Sequence, residues 1–153
     1  METVKESVDK AKDPVLPTIK VRLEEGAMMP KREHLTDAGA DLYANEDVFI
    51  PKGSYRTIHT GVHVEIPHGY FGLLQSKSGL NRKNGITCRG VIDEGYTGEI
   101  LAVLQNIGDD YSVKKGDKVT QLIIIPCIYP QFEVVDTITG GDRGDNGFGS
   151  TGK

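Results

Sequence analysis

The last fourteen residues of the chain, 140–153, combine residue types that suit the closure of a nucleotide site. Six glycines surround Arg143, Phe148 and the pair Ser150-Thr151. Glycine lets a backbone approach a ligand closely, and arginine binds phosphate through two parallel hydrogen bonds. A lone aromatic ring among glycines is free to cover a flat base. This composition predicts a mobile arm over a nucleotide, although an unstructured polar terminus would have the same composition.

Residues 90–99 place a carboxylate directly after two apolar residues. Burial of Val91 and Ile92 would position Asp93 and partly remove it from water, as a general base requires. Tyr96 follows three residues later, beyond a glycine turn. A β-turn with an exposed aspartate is the alternative interpretation, because acidic residues and glycine are common in turns.

Three further segments concentrate polar residues where a β domain has loops, namely 37–44, 75–80 and 115–122. Asp41 is expected at a strand end, Lys77 lies between two serines, and Gln121 lies in an apolar strand. The segment around Lys77 suits an anion, Gln121 suits a water or a phosphate, and Asp41 alone is a weak signal. The alternatives are an ordinary turn around Asp41, a helix cap at Ser78, and a glutamine that only satisfies loop backbone.

Short β segments between prolines and glycines must position these residues. Apolar and polar side chains alternate over 58–66, which predicts a half-buried strand between turns at 51–53 and 67–69. Further strands are predicted at 70–74, 100–106, 119–125 and 131–137, and a helix of one or two turns at 78–83.

The absence of a long helical period predicts an all-β fold, a compact sandwich or jelly-roll-like barrel. One domain is expected over residues 17–139. Residues 1–16 read as a flexible N-terminal appendage, because their apolar stripe is thin and short isolated helices are marginal in water. Residues 140–153 form the glycine-rich C-terminal arm.

The net charge, the cysteines and the apolar runs of the chain exclude some classes of function. A net charge of −4 argues against binding a nucleic-acid backbone, but it allows a small phosphorylated ligand carried with Mg²⁺. Cys88 and Cys127 are far apart and predict free thiols in a reducing compartment. The longest apolar run, 122–125, is too short for a bilayer, so we expect a soluble, cytoplasmic protein with no membrane contact. His59 and His63 lie about 13 Å apart along one strand and cannot share a zinc ion.

Taken in order, these segments resemble the five motifs of the trimeric dUTP pyrophosphatase (dUTPase) family, over roughly residues 19–153. The closest matches are 90–98, with Asp93 and Tyr96, and the tail from Arg143 to Gly152. The resemblance implies a distorted jelly-roll β-barrel subunit in a homotrimer. It also implies active sites between subunits, each closed by the C-terminal arm of a neighbour.

The implied reaction is hydrolysis of dUTP to dUMP and pyrophosphate with Mg²⁺ as cofactor. By resemblance, Asp93 activates the water that attacks the α-phosphorus, while Asp41 and Gln121 hold water and metal geometry without binding the metal directly. Phe148 stacks on uracil. The residues implied to contact the phosphates are Lys77, Ser78, Gly79, Arg143, Ser150 and Thr151, and Gly149 is also assigned to substrate binding.

The resemblance also implies how the base is selected. A β-hairpin over 86–92 presents backbone groups to the uracil edge, and cytosine would leave those groups unpaired. The residues of this hairpin assigned to substrate binding are Ile86, Gly90, Val91 and Ile92. Tyr96 lies flat under the deoxyribose and leaves no room for a 2′-hydroxyl.

Three positions depart from the family pattern. Lys77 stands where arginine is usual, which keeps the charge but loses the two-pronged geometry. Gly95 stands where a second acidic residue is common, and Thr120 replaces a usual alanine. The hairpin is also about one residue short.

Two other functions are compatible with the same fold. One is a related deaminase acting on dCTP, in which a glutamate near the base works as acid and base. The other is a binding module without activity, which predicts loss of the catalytic residues. The intact Asp93 to Tyr96 pattern and the tail favour the pyrophosphatase.

Overall fold

The structure, a computed structural model, describes residues 16–141 of the 153-residue chain. This part holds nine strands and one helix: β1 Lys20–Leu23, β2 Gly39–Tyr43, β3 Val48–Ile50, β4 Tyr55–Glu65, β5 Tyr70–Gln75, α1 Ser78–Asn84, β6 Ile86–Ile92, β7 Glu99–Asn106, β8 Tyr111–Val113 and β9 Lys118–Pro126. Seven strands form one antiparallel sheet in the order β1-β4-β7-β6-β5-β9-β2, and β3 pairs with β8. The predicted all-β fold is confirmed.

The core lies on the inward faces of these strands. In β4, Ile58, Thr60 and Val62 are fully buried, as the alternation in the sequence predicts. The buried hydroxyl of Thr60 donates to the Ile100 carbonyl at 2.6 Å, so no polar group there is left unpaired. Burial of each large aliphatic side chain contributes roughly 1.5–3 kcal/mol to stability.

The strand predicted at 131–137 is wrong for this chain, because the structure has no strand there. All the residues from 128 to 141 are exposed, including Phe132 at 96% and Val134 at 100%. A strand needs a neighbouring edge to satisfy its backbone, and these residues have none in the described chain. Residues 131–137 therefore have the apolar, β-prone composition of a strand but pair with no other strand among residues 16–141.

The other sequence predictions about organisation have mixed outcomes. Cys88 and Cys127 are free thiols, as expected. No helix between residues 16 and 141 is long and apolar enough to cross a membrane. The appendage before residue 16 and almost all of the arm at 140–153 lie outside the described residues, so those domain boundaries and the cytoplasmic location stay predictions.

Candidate active site

Three of the sequence segments meet in one cavity of about 380 Å³. Strand β9 lies between β5 and β2, and its register pairs Gln121 with Asp41 on one side and with Gln75 on the other. Lys77 and Ser78 follow directly after β5 and line the same cavity. Residues eighty positions apart in the chain therefore share one site because of strand order.

Asp41 lies in the middle of β2, not at a strand end as predicted, and its side chain is only 6% exposed. Lys77 and Lys118 both form ion pairs with its carboxylate, Lys118 at 2.9 Å from Oδ2. Burial opposes ionisation, but the hydrogen bonds from the two ammonium groups outweigh it and lower the pKa of Asp41. Asp41 is therefore a fixed, ionised carboxylate.

Lys118 and Glu33 are cavity residues that the sequence analysis missed. The Lys118 ammonium bridges Asp41 and Glu33, with Glu33 Oε2 at 3.1 Å, and hydrogen bonds to both carboxylates raise the pKa of Lys118. Lys118 lies within segment 115–122, but its register against β2 is not readable from a local pattern. Glu33, which binds Lys118, lies before β2 in a loop whose sequence has no periodic pattern.

Gln121 satisfies loop backbone and also lines the cavity, whereas its predicted role in holding water or phosphate stays a prediction. Its Nε2 donates to the Ser76 carbonyl at 3.1 Å, so it satisfies loop backbone. Its Oε1 lies over Gly39 on the cavity wall, where a Cβ on Gly39 would come within 2.5 Å of it. Gly39 is thus required for space. Beside it, the buried Thr120 hydroxyl donates to the Gln75 carbonyl at 3.0 Å, which explains a threonine at this position.

Helix α1 begins without a side-chain cap. Its N-cap position is Lys77, so the interpretation of Ser78 as the capping residue is wrong. Ser78 instead lines the cavity, and Gly79 faces open space. The start of the helix therefore leaves room for a ligand.

The predicted hairpin over 86–92 is one continuous strand, β6, and the hairpin prediction is wrong. Ile86 to Cys88 pair with β7, whereas Arg89 to Ile92 pair with β5. Ser76 Oγ bridges the two backbone groups of Cys88 where the strand changes neighbour. Within the described chain, each half of β6 has a strand neighbour on one side only, which leaves backbone groups open along Gly90 to Ile92.

Asp93 lies away from the first cavity. It follows Ile92, which pairs with Gly72 near the start of β5, whereas Lys77 follows the other end of β5. Three residues of strand separate these ends by about 10 Å. Asp93 lines a different cavity of about 880 Å³ together with Val91, Glu94 and Tyr129.

The predicted burial around Asp93 is only half correct. Ile92 is 8% exposed, but Val91 is 60% exposed and Asp93 itself is exposed. The reason is alternation: neighbouring residues of a strand point to opposite faces, so two consecutive apolar residues are not both buried on one face. In the single chain, the Asp93 carboxylate is open to solvent.

The turn after Asp93 presents an aromatic platform. Gly95 has φ of +84°, a left-handed conformation that favours glycine over the acidic residue usual in the family. The Tyr96 ring lies against Gly98, where a Cβ would be 2.5 Å from its hydroxyl oxygen, and the hydroxyl donates to the Glu99 carbonyl at 2.9 Å. Tyr96 remains 44% exposed, so its outer face is available to a ligand.

The predicted contacts of the C-terminal arm lie outside the described residues. These are Arg143, Phe148, Gly149, Ser150 and Thr151. The two histidines of β4 bind carboxylates: His59 Nδ1 lies 2.8 Å from Glu99, and His63 Nε2 lies 2.8 Å from Glu24. No group of three potential metal ligands from His, Cys, Asp and Glu occurs within residues 16–141.

Comparison with known proteins identifies the family of the chain. The model of the dUTPase family matches residues 25–152. The deoxyuridine 5'-triphosphate nucleotidohydrolase of Clostridium tetani is 40% identical over 141 residues, covering 89% of this chain and 97% of the relative. The human mitochondrial enzyme of the same name is 41% identical over 134 residues, covering 86% of this chain and 53% of the relative.

Solved structures similar to this chain are also dUTPases. A mutant dUTPase of Staphylococcus bacteriophage 80alpha with dUpNHpp has a TM-score of 0.85 at 31% identity, covering 90% of this chain and all of that chain. A mutant dUTPase from phage phi11 of S. aureus, described for its coordination of a structural Mg(II) ion, has a TM-score of 0.75 at 33% identity and covers 79% of this chain and 98% of that one. The chain therefore belongs to the dUTPase family and is an enzyme of the dUTP nucleotidohydrolase class.

Proposed function

We propose that the chain hydrolyses dUTP to dUMP and pyrophosphate by Mg²⁺-assisted attack of water on the α-phosphate. Asp93 activates the water, and each active site is shared between subunits of a homotrimer. The observation that carries this proposal is the separation of Asp93 from the cavity of Asp41, Lys77 and Gln121 within one chain. Each half is built for part of the reaction, and a second copy supplies what is missing.

Asp93 is suited to the role of general base. Its carboxylate is exposed on a turn that is fixed at both ends by strands β6 and β7. An ionised carboxylate within hydrogen-bonding reach of a water can take its proton as the water attacks phosphorus. Tyr96, three residues later, offers its ring to the deoxyribose, and a ring in that place excludes a 2′-hydroxyl.

The first cavity is suited to a triphosphate that carries a divalent cation. Three carboxylates line it, from Glu33, Asp37 and Asp41, against the two ammonium groups of Lys77 and Lys118. A bare triphosphate would meet this excess of negative charge unfavourably. The oxygen donors of Asp41 and Gln121 fit Mg²⁺, which prefers oxygen ligands and keeps several waters.

The described residues offer no cage for a metal, so we infer that Mg²⁺ arrives on the phosphates. When bound there, it would polarise the phosphate and offset charge on the leaving group. Asp41 and Gln121 would then hold water and the metal geometry in place. Lys77, Ser78 and Gly79 contact phosphate oxygens. Because Lys77 forms an ion pair with Asp41 in the structure, its ammonium group must leave Asp41 to bind a phosphate.

The C-terminal arm and β6 complete the site. Arg143, Gly149, Ser150 and Thr151 add phosphate contacts from a neighbouring chain, and Phe148 covers the uracil. Strand β6 supports base selection because its backbone is open along one side from Gly90 to Ile92. The backbone N–H and C=O groups from Gly90 to Ile92, which include those of Val91, pair with the uracil edge, and Ile86 also contributes to this part of the site. Cytosine would leave these groups without hydrogen-bond partners inside the site.

Exposed apolar surface supports the trimer. Leu101, Val103 and Tyr55 lie on the outer face of the β4–β7 pair and are 38%, 44% and 67% exposed. The segment after β9 exposes Phe132 and Val134 almost completely. Apolar patches of this kind mark interfaces, and further copies of the same chain would cover them.

The substrate panel tests the proposal. Pyrophosphate release is measured from dUTP, dCTP, dTTP and UTP in parallel, with Mg²⁺ and with EDTA. We expect release from dUTP alone and its loss in EDTA. Release from UTP at the same rate would contradict the role of Tyr96, and ammonia without pyrophosphate from dCTP would indicate the deaminase.

A further inference from the structure

Glu94, the residue after Asp93, is held by three donors from outside its own turn. His68 Nδ1 lies 2.9 Å from Oε1, and the Gly69 amide donates to Oε2 at 3.2 Å. The Tyr129 hydroxyl donates to Oε2 as well. His68 and Gly69 form the turn before β5, and Tyr129 follows β9, so one carboxylate joins three separate segments. We call these four residues the Glu94 clamp.

The turn itself has few other supports near Asp93. Its one internal backbone bond runs from the Tyr96 amide to the Asp93 carbonyl at 3.1 Å. The far half of the turn is anchored separately, because the Thr97 carbonyl lies 2.9 Å from His63 Nδ1. Beyond the strand pairing of β6, which ends at Ile92, the half of the turn that carries Asp93 is tied to other segments of residues 16–141 through Glu94.

The charge states strengthen the clamp at neutral pH. Hydrogen bonds from Tyr129 and then His68 lower the pKa of Glu94, and the bond to Glu94 raises the pKa of Tyr129 to about 12. The carboxylate is thus ionised while the phenol keeps its proton. Such a charge-assisted hydrogen bond is about twice as strong as a neutral one. The His68 and Tyr129 rings also face each other at 5.7 Å between centroids.

We propose that Glu94 is a positioning residue, which holds Asp93 at the place where its carboxylate meets the attacking water. This inference rests on the proposed function, because the placement of Asp93 matters only if Asp93 activates that water. A misplacement of about 1 Å at a reacting group can lower the rate by roughly 10²-fold. Since the proposed function assigns Glu94 no contact with the phosphates or the base, we expect its loss to lower turnover more than substrate binding.

The test compares Glu94→Gln, Tyr129→Phe and the double variant with the unaltered enzyme, by pyrophosphate release from dUTP. We expect Glu94→Gln to lower kcat by about ten- to a hundredfold while KM changes by less than about threefold. Tyr129→Phe should have a smaller effect, which disappears in the Glu94→Gln background because both act through one contact. Asp109→Asn removes an exposed carboxylate paired only with Lys52 and should leave kcat unchanged.

Asp93→Asn is measured alongside to separate the two proposals. An unchanged kcat in Glu94→Gln, or independent effects of the two clamp variants, overturns the clamp while an inactive Asp93→Asn keeps the proposed function. An active Asp93→Asn overturns both. If Glu94→Gln does not fold, Tyr129→Phe decides: it removes one hydroxyl from a side chain that is 57% exposed, and an unchanged kcat then contradicts the clamp.

Discussion

At the scale of single residues, the sequence predicts the chemical types of the site better than their surroundings. Asp41, Lys77, Ser78 and Gln121 could be selected because polar residues interrupt apolar strands. Their shared cavity follows from the register of β2 against β9, which no local pattern contains. The same limit explains why Lys118 was missed.

Replacement of Asp93 by asparagine tests its assigned role. The amide keeps the size of the side chain but cannot take a proton from water, so kcat should fall by about 10²-fold or more. Circular dichroism and the oligomeric state should stay the same, because the side chain is exposed. A variant with near-normal turnover would show that another group is the base.

Gly39→Ala tests whether the placement of Gln121 matters. The new methyl group would lie about 2.5 Å from Gln121 Oε1, so the glutamine must move off the cavity wall. We expect kcat for dUTP to fall by about tenfold or more, the scale of a displaced site group. The control is Gln121→Ala: in that background Gly39→Ala should have no further effect on kcat. Additive losses would place the effect of Gly39 elsewhere.

At the scale of elements, local alternation predicts strands whose partners lie in the same chain. Ile58 to Ile66 shows this, since its apolar face is the buried face of β4. Segment 131–137 has the same apolar character but pairs with no strand among residues 16–141, so the local pattern gives the wrong answer there. The hairpin at 86–92 was implied by the family resemblance, whereas in this chain the segment is one strand that changes neighbour at Cys88.

The β4–β7 pair should show a pH-dependent stability. The pairing shifts register between His59 and His63, and the Glu99 carboxylate fills the gap by accepting from the Gly61 amide at 2.8 Å and binding His59. The hydrogen bond to Glu99 raises the pKa of His59, and the hydrogen bond to Glu24 raises that of His63.

Because both pKa values are raised on folding, this stabilisation is complete below the unfolded pKa of about 6.5 and is lost as pH rises through the higher folded values. Urea unfolding at fixed protein concentration should therefore show stability declining above pH 6.5. The decline should be reduced in His59→Gln with His63→Gln. An equal decline in that variant would mean that other groups cause it.

At the scale of the whole molecule, the proposed function makes one chain an incomplete enzyme. Asp93 and Asp41 line different cavities, and within residues 16–141 the large apolar side chains after β9 are exposed. The resemblance to a trimeric family would explain both features, whereas composition and periodicity alone predict only a compact β domain. The oligomeric state is the property that is hardest to predict from the residue pattern of one chain.

Deletion of residues 143–153 separates closure from assembly. These residues are assigned to phosphate and uracil contacts, not to the interface, so turnover of dUTP should fall below detection while the oligomer persists. Activity is followed by pyrophosphate release and mass by light scattering. A monomeric truncation would assign the tail to assembly, and an active one would remove Arg143 and Phe148 from the site.

The most direct test of a shared site mixes two inactive variants. Asp93→Asn and Asp41→Asn are produced separately and together, and pyrophosphate release from dUTP is measured at equal total protein. If each site takes Asp93 from one chain and the Asp41 cavity from another, about a quarter of the sites in randomly mixed trimers contain both intact residues. We therefore predict that the separate variants are inactive and that the coexpressed mixture regains about a quarter of normal activity. A mixture no more active than its parents would place the whole site within one chain and contradict the proposal.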